Sequence, residues 1–170
     1  MHAFARFFAL SSVAFLCGCA GYRLGPTDGQ SAGARSIQVV PFLNETLEPR
    51  LTDPLTAGLR KEFQRDATFR LDTHDEADVI LTGKVTNYRR RVQSLAPSDL
   101  ATAQDYRLEL TAQVTARERL SGRVLIDEPV MGSTLIRVGA DLPSAERQAL
   151  PLLANDLAKR VVARLAEGSW

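Results

Sequence analysis

Tyr106-Arg107-Leu108-Glu109-Leu110-Thr111-Ala112-Gln113-Val114-Thr115-Ala116-Arg117 alternates without a break. Tyr106, Leu108, Leu110, Ala112, Val114 and Ala116 share one parity, and Arg107, Glu109, Thr111, Gln113, Thr115 and Arg117 share the other. Successive side chains of a strand point to opposite faces, so this segment lays one face on a core and the other in water. The polar face reads as a solvated surface. Leu120-Ser121-Gly122-Arg123 then makes a hairpin turn, with Gly122 free to take positive φ. Val124 to Val138 returns as the partner strand. Pro129 and Gly132 inside it predict a bulge or an edge position.

The same pattern extends upstream. Val79 to Arg91 is a long strand with Val79, Leu81, Gly83 and Val85 on one face and Lys84, Thr86 and Tyr88 on the other. Gln93 to Gln104 contains Pro97 and small polar residues and reads as a loop. Phe69-Arg70-Leu71 is a short strand, and Ile37 to Phe42 is a β-branched first strand with Pro41 at its end or edge. Asn44-Glu45-Thr46 turns the chain between that strand and a helix. Leu51, Leu55, Leu59 and Phe63 recur every four residues as one apolar stripe, with Asp53 and Pro54 as N-cap and first helical position. A last helix carries Leu150, Leu153, Ala154, Leu157, Val161 and Leu165. Ser144 is its expected cap and Gly168 its end, and Pro151 is expected to kink or restart it. The sum is an α+β fold, a two-layer sandwich of two helices on a mostly antiparallel sheet of about four strands.

The front of the chain belongs to a different layer of meaning. Arg6 precedes an apolar run, Phe7 to Leu16, that is too short to span a bilayer and ends in Leu16-Cys17-Gly18-Cys19. This is the form of a bacterial lipobox, in which a diacylglycerol joins a cysteine thiol. Small Gly18 precedes Cys19 and bulky Leu16 precedes Cys17, which selects Cys19 as the lipidated residue. An ordinary secretory signal cut after Ala20 is the alternative. Residues 1–18 are then a signal peptide, 19–35 a lipidated N-terminus and short tether, and 36–170 a single domain. Tyr22-Arg23-Leu24 in the tether could add an edge strand. A thioether-linked diacylglycerol with an added N-acyl chain such as palmitate anchors stably, at about 0.8 kcal/mol per buried methylene. Ala20, rather than Asp, follows the cysteine, the usual state of lipoproteins sent on to the outer membrane.

Charge and chemistry narrow the function. Met1 to Gly18 carries only Arg6, so the mature chain keeps 20 of the 21 basic residues against 20 acidic ones. No overall field draws it to nucleic acid. With Cys17 removed and Cys19 capped, no disulfide is available. His74, Asp75, Glu76 and Asp78 lack metal-site spacing and read as a solvated turn. Gly83-Lys84 has no upstream glycines and is not a phosphate loop. No catalytic constellation, metal site or cofactor is expected beyond the covalent lipid on Cys19, and the chain is read as a non-enzyme. Tyr88-Arg89-Arg90-Arg91, with Lys84, is the feature with functional promise, since clustered guanidiniums clamp phosphates or carboxylates bidentately. Its bland reading is a charged strand end that guards a sheet edge or pairs with Asp99 and Asp105.

Several stretches together resemble the LptE-type lipopolysaccharide-assembly lipoproteins: Cys19 to Leu24, Ile37 to Arg50, Glu76 to Val85, Asn87-Tyr88-Arg89, and the strand opening Asp105-Tyr106-Arg107-Leu108. The order and spacing run through nearly the whole mature chain. Pro151 in the last helix and Cys17 in the lipobox depart from the family pattern. The resemblance implies two helices on a mostly antiparallel sheet, held at the periplasmic face of the outer membrane. It implies a plug for the LptD-type β-barrel, assistance to that barrel's assembly, and contact with lipopolysaccharide during its delivery to the cell surface. On that reading Lys84, Tyr88, Arg89, Arg90 and Arg91 are the lipopolysaccharide-contact candidates. The runner-up is an LpoB-like outer-membrane lipoprotein that regulates a peptidoglycan synthase. Such chains carry a long tether, and the one here is short.

Overall fold

The computed structural model describes residues 33–74, 76–96, 99–138 and 141–168. The elements run β1 (Arg35–Val39), β2 (Leu43–Asn44), a 3-10 turn (Pro49–Leu51), α1 (Thr52–Asp66), β3 (Phe69–Leu71), β4 (Val79–Ala96), β5 (Asp99–Glu118), β6 (Val124–Arg137) and α2 (Leu142–Glu167). They form one six-stranded sheet in the order β3-β1-β4-β5-β6, with β2 continuing the line of β1 along β4. Both helices cover one face of it and meet each other there.

Two parts of the expected fold class are corrected. The sheet has six strands rather than about four: the short strand expected at Phe69–Leu71 joins it as β3, and Leu43–Asn44, where a turn was expected to begin, pairs as β2. It is also partly parallel: β1 with β3, β1 with β4 and β2 with β4. Parallel neighbours need a long crossover, and α1 supplies it between β1 and β3. The expected loop from Gln93 to Gln104 is instead mostly strand, since the β4–β5 ladder continues through Ser94↔Asp105, Leu95↔Ala103 and Ala96↔Asp99. Backbone hydrogen bonds form a ladder whatever the side chains, so a stretch with no apolar alternation still pairs as strand.

The alternation of β5 holds as read: Leu108, Leu110, Ala112, Val114 and Ala116 are fully buried against the helices. Leu55, Leu59 and Phe63 of α1 and Leu153, Leu157 and Val161 of α2 complete this core, each fully buried. At roughly 1.5–3 kcal/mol per buried apolar side chain, this layer is the main stabilising term. The helix ends differ from expectation. Glu48 caps the 3-10 turn through Arg50 N, and α1 starts at Thr52 behind it. Asp141, not Ser144, caps α2, accepting from Ser144 N at 2.6 Å. The α2 helix continues through Pro151, which lies on its exposed side.

The position of Pro129 resolves as an edge. The β6 strand borders the sheet, and the Ser133 amide points away from β5 to the Asp156 carboxylate at 2.8 Å. Pro129 lies four residues earlier on the same parity, so it turns a missing donor toward the open side. Proline and a capping carboxylate together blunt this edge against pairing with another chain.

At the start of the sheet, Asp78 joins β1 to β4. Its carboxylate accepts from Ser36 N and Ser36 Oγ, both at 2.8 Å, and Ser36 Oγ accepts from Asp78 N at 2.9 Å. These hydrogen bonds, the backbone one foremost, hold the Asp78 carboxyl below its ordinary value of 3.8. A carboxylate depressed in the folded state stabilises above its unfolded pKa and loses that contribution as pH falls. Stability is therefore expected to decline between about pH 5 and pH 2, and Asp78→Asn to flatten that decline. Urea midpoints across this range measure it; equal slopes for both proteins would exclude the role.

Candidate functional site

A β-bulge decides which side chains meet. The β4–β5 register slips between Val85 and Asn87. Because the side-chain period is two, one extra residue moves everything beyond it to the opposite face. Tyr88 therefore joins the helix face with Val79, Leu81 and Val85, rather than lying with Lys84 as the uninterrupted pattern implied. Arg90 follows Tyr88, while Arg89 and Arg91 turn to the open face.

On the helix side, Glu146 of α2 receives both residues. Its Oε1 accepts from the Tyr88 hydroxyl and its Oε2 from Arg90 Nη1 at 3.0 Å. The Arg90 guanidinium also lies 5.5 Å from the centre of the Tyr106 ring, a cation–π distance. Burial, then the Glu146 carboxylate, pushes the Tyr88 phenol far above its ordinary value, so it stays a donor at neutral pH. Nearby, Arg50 Nε meets Glu48 at 2.7 Å, and that hydrogen bond holds the Glu48 carboxyl low. Tyr88 and Arg90 are thus bound into the seam between β4 and α2.

The open face is built from rows across three strands. Arg89 stands opposite Glu109 and Ser133, Arg91 opposite Arg107 and Leu135, and Asp105 opposite Arg137. Arg91 Nε reaches Glu109 at 3.0 Å. Arg107 donates to Gln93 Oε1 at 3.1 Å. Arg137 pairs with Asp105 at 2.9 Å, which with Ser94 holds the Asp105 carboxyl low. Arg89 makes no hydrogen bond or ion pair with another described residue. Four arginines thus surround two carboxylates, leaving a local excess of positive charge. Like charges directly opposite on a ladder, as in Arg91 and Arg107, are destabilising by themselves. Met131 and Leu135 of β6 stand on the same face, 54% and 56% exposed. A guanidinium cluster with apolar neighbours suits an amphiphile that carries phosphates.

Of the five contact candidates, the structure therefore brings Arg89 and Arg91 together and ties Tyr88 and Arg90 to Glu146. Lys84 lies further along the open face, 3.4 Å from Glu45. Asp105 pairs with Arg137 instead of the arginine run, and the Asp99 side chain lies outside the described residues. The sequence reading left Arg107 on a solvated face and passed over Arg137 and Leu135. Their convergence needs the β5–β6 register, which no local pattern prints. Cys19, Tyr22 to Leu24 and Asp75 also lie outside the described residues. Among those described, no three His, Cys, Asp or Glu side chains converge, and no helix is long and apolar enough to cross a membrane.

A family model described as LptE, lipopolysaccharide-assembly, matches residues 34–165. No curated protein matches. Among solved structures, a hypothetical protein from Chlamydia trachomatis is similar with a TM-score of 0.58 at 9% identity, covering 80% of this chain and 98% of its own. A protein from Xanthomonas campestris is similar with a TM-score of 0.57 at 12% identity, covering 85% and 91%. A minor lipoprotein from Acinetobacter baumannii is similar with a TM-score of 0.50 at 15% identity, covering 78% and 92%. At such identities these likenesses speak for the fold alone.

Proposed function

The chain belongs to the LptE lipopolysaccharide-assembly family, and on that basis we propose that it is a lipid-anchored, non-enzymatic plug of an LptD-type β-barrel at the periplasmic face of the outer membrane. The family match over residues 34–165 carries this reading. In it, Cys19 bears the lipid and the domain helps the barrel assemble. The open sheet face holds lipopolysaccharide as it passes to the cell surface.

The open face supports the ligand part of the proposal. Lipid A presents phosphates beside acyl chains, and Arg89, Arg91, Arg107 and Arg137 stand beside Met131 and Leu135. Arg91 and Arg107 face each other with one carboxylate near them, so an added phosphate relieves their repulsion while gaining charge-assisted hydrogen bonds. Tyr88 and Arg90 act by holding β4 to α2 rather than by touching the ligand.

A crosslinking pull-down from native envelopes tests the partner. Recovery of a large outer-membrane barrel in near-equal amount is the expected result. Recovery of cell-wall synthases in its place would transfer the protein to the LpoB-like reading.

A further inference from the structure

The β5–β6 turn holds a leucine out in water. Leu120 is 93% exposed, and Val124 at the start of β6 is 43% exposed. The turn that presents Leu120 is tightly bonded. Glu118 N donates to Arg123 O at 2.8 Å, Gly122 N donates to Glu118 O at 2.9 Å, and Arg123 N donates to Ser121 Oγ at 3.1 Å. The Ser121 hydroxyl donates to the Glu118 carboxylate, and Arg117 Nη1 reaches Gly122 O at 2.9 Å. Gly122 takes φ 71°, as the turn requires. Arg117, Arg119 and Arg123 flank the leucine in the sequence, and Arg123 Nε lies 3.7 Å from the Glu118 carboxylate within the turn.

This turn lies at the same end of the sheet as the point where the chain enters the domain. Gly33 N donates to Thr68 O at 3.2 Å just before β1 and β3 pair. Arg119 N donates to Asp78 O, and Asp78 holds Ser36 of β1. The thirteen residues between Cys19 and Gly33 let those two positions lie at most about 50 Å apart when fully extended. The 18 residues of β4, at about 3.3 Å each, carry the far end of the β4–β5 hairpin roughly 60 Å from the entry point. A lipid on Cys19 therefore holds the entry pole, and with it the Leu120 turn, within about 50 Å of the bilayer, a limit that the far end of the hairpin can exceed.

The geometry points to a second membrane contact: the β5–β6 turn seats Leu120 in the phospholipid leaflet that carries the lipid anchor, with Arg117, Arg119 and Arg123 against headgroup phosphates. This inference rests on the lipid-anchored reading of Cys19. A rigid turn loses little conformational freedom on insertion, so most of the gain from burying one leucine is kept. Arginine stems lie along the apolar boundary while their guanidiniums stay with the phosphates. The contact orients the domain, leaving the open face of β4, β5 and β6 clear of the lipid surface.

The test uses the full lipidated protein in vesicles of phosphatidylethanolamine and phosphatidylglycerol. Leu120→Cys carries an environment-sensitive dye, and a second sample carries it at Leu47→Cys, a fully exposed loop site between β2 and α1. The expected result is a blue-shifted Leu120 probe that loses most of its fluorescence to nitroxide-bearing lipids, beside a Leu47 probe that does not. Flotation of the same vesicles separates the two premises. Protein that floats with an unquenched Leu120 probe overturns the turn contact alone. Protein that stays at the bottom of the gradient refutes the Cys19 anchor and the contact that depends on it.

Discussion

Gly132→Ala is expected to cost about 3 kcal/mol, the upper part of the usual range for overpacking a core. A Cβ at Gly132 would lie 2.6 Å from Leu157 N and 2.8 Å from Leu157 Cα. Those are backbone atoms of α2, fixed by the helix on both sides, so no rotamer change makes room. Alanine is the better strand residue by roughly 0.5–1 kcal/mol, and the clash outweighs that gain. Gly83→Ala is the instructive contrast. Its Cβ would meet the Phe42 ring at 2.3 Å, but a ring is a side chain. Phe42→Leu in the same chain is therefore expected to recover part of the loss at Gly83, whereas no single side-chain change rescues Gly132. Urea midpoints for the two single variants and the Gly83/Phe42 double variant measure the difference. A Gly132→Ala midpoint equal to that of the parent would mean that α2 and β6 do not approach as closely as described.

The same glycine shows how far the sequence could be read. Gly132 and Pro129 marked the last strand as irregular, and an edge was one of two readings. Deciding between them required Asp156, which comes from α2 and answers the Ser133 amide. Strict alternation made β5 legible because a half-buried strand repeats every two residues over its whole length. The β4 strand carried the same signal only as far as Val85. The bulge there is set by register against β5, and one added residue reassigns Tyr88, Arg89, Arg90 and Arg91 among the faces. Three consecutive arginines looked like one clamp because sequence adjacency was taken for spatial adjacency. On a strand, neighbours in sequence point apart, and the real neighbours of Arg91 are Arg107 and Glu109 from the next strand. The parallel pairs were hidden for a related reason: β2 and β3 are too short to show a period, and their partners lie across a helix.

That division of the arginine run yields the sharpest functional expectation. Arg91→Gln combined with Arg107→Gln is expected to weaken lipopolysaccharide binding about a hundredfold or more. Each charge-assisted hydrogen bond is worth about 1.5–3 kcal/mol, and about 1.4 kcal/mol is tenfold in affinity. Both side chains lie on the open face, so the unfolding midpoint should change little. Arg90→Gln should do the reverse. It leaves Glu146 and the Tyr106 ring without their cation and loosens the seam between β4 and α2, lowering the midpoint while binding stays near that of the parent. Reversing Arg89, Arg90 and Arg91 together would mix the two effects, because a damaged seam and a lost clamp both reduce binding. Binding titrations beside urea melts of the separated variants distinguish them. If Arg90→Gln weakened binding as much as the Arg91/Arg107 pair, the ligand would lie on the helix side of the sheet. Binding that is insensitive to the Arg91/Arg107 pair would leave the open face as a solvated surface, its repulsion balanced by Glu109 and Asp105 alone.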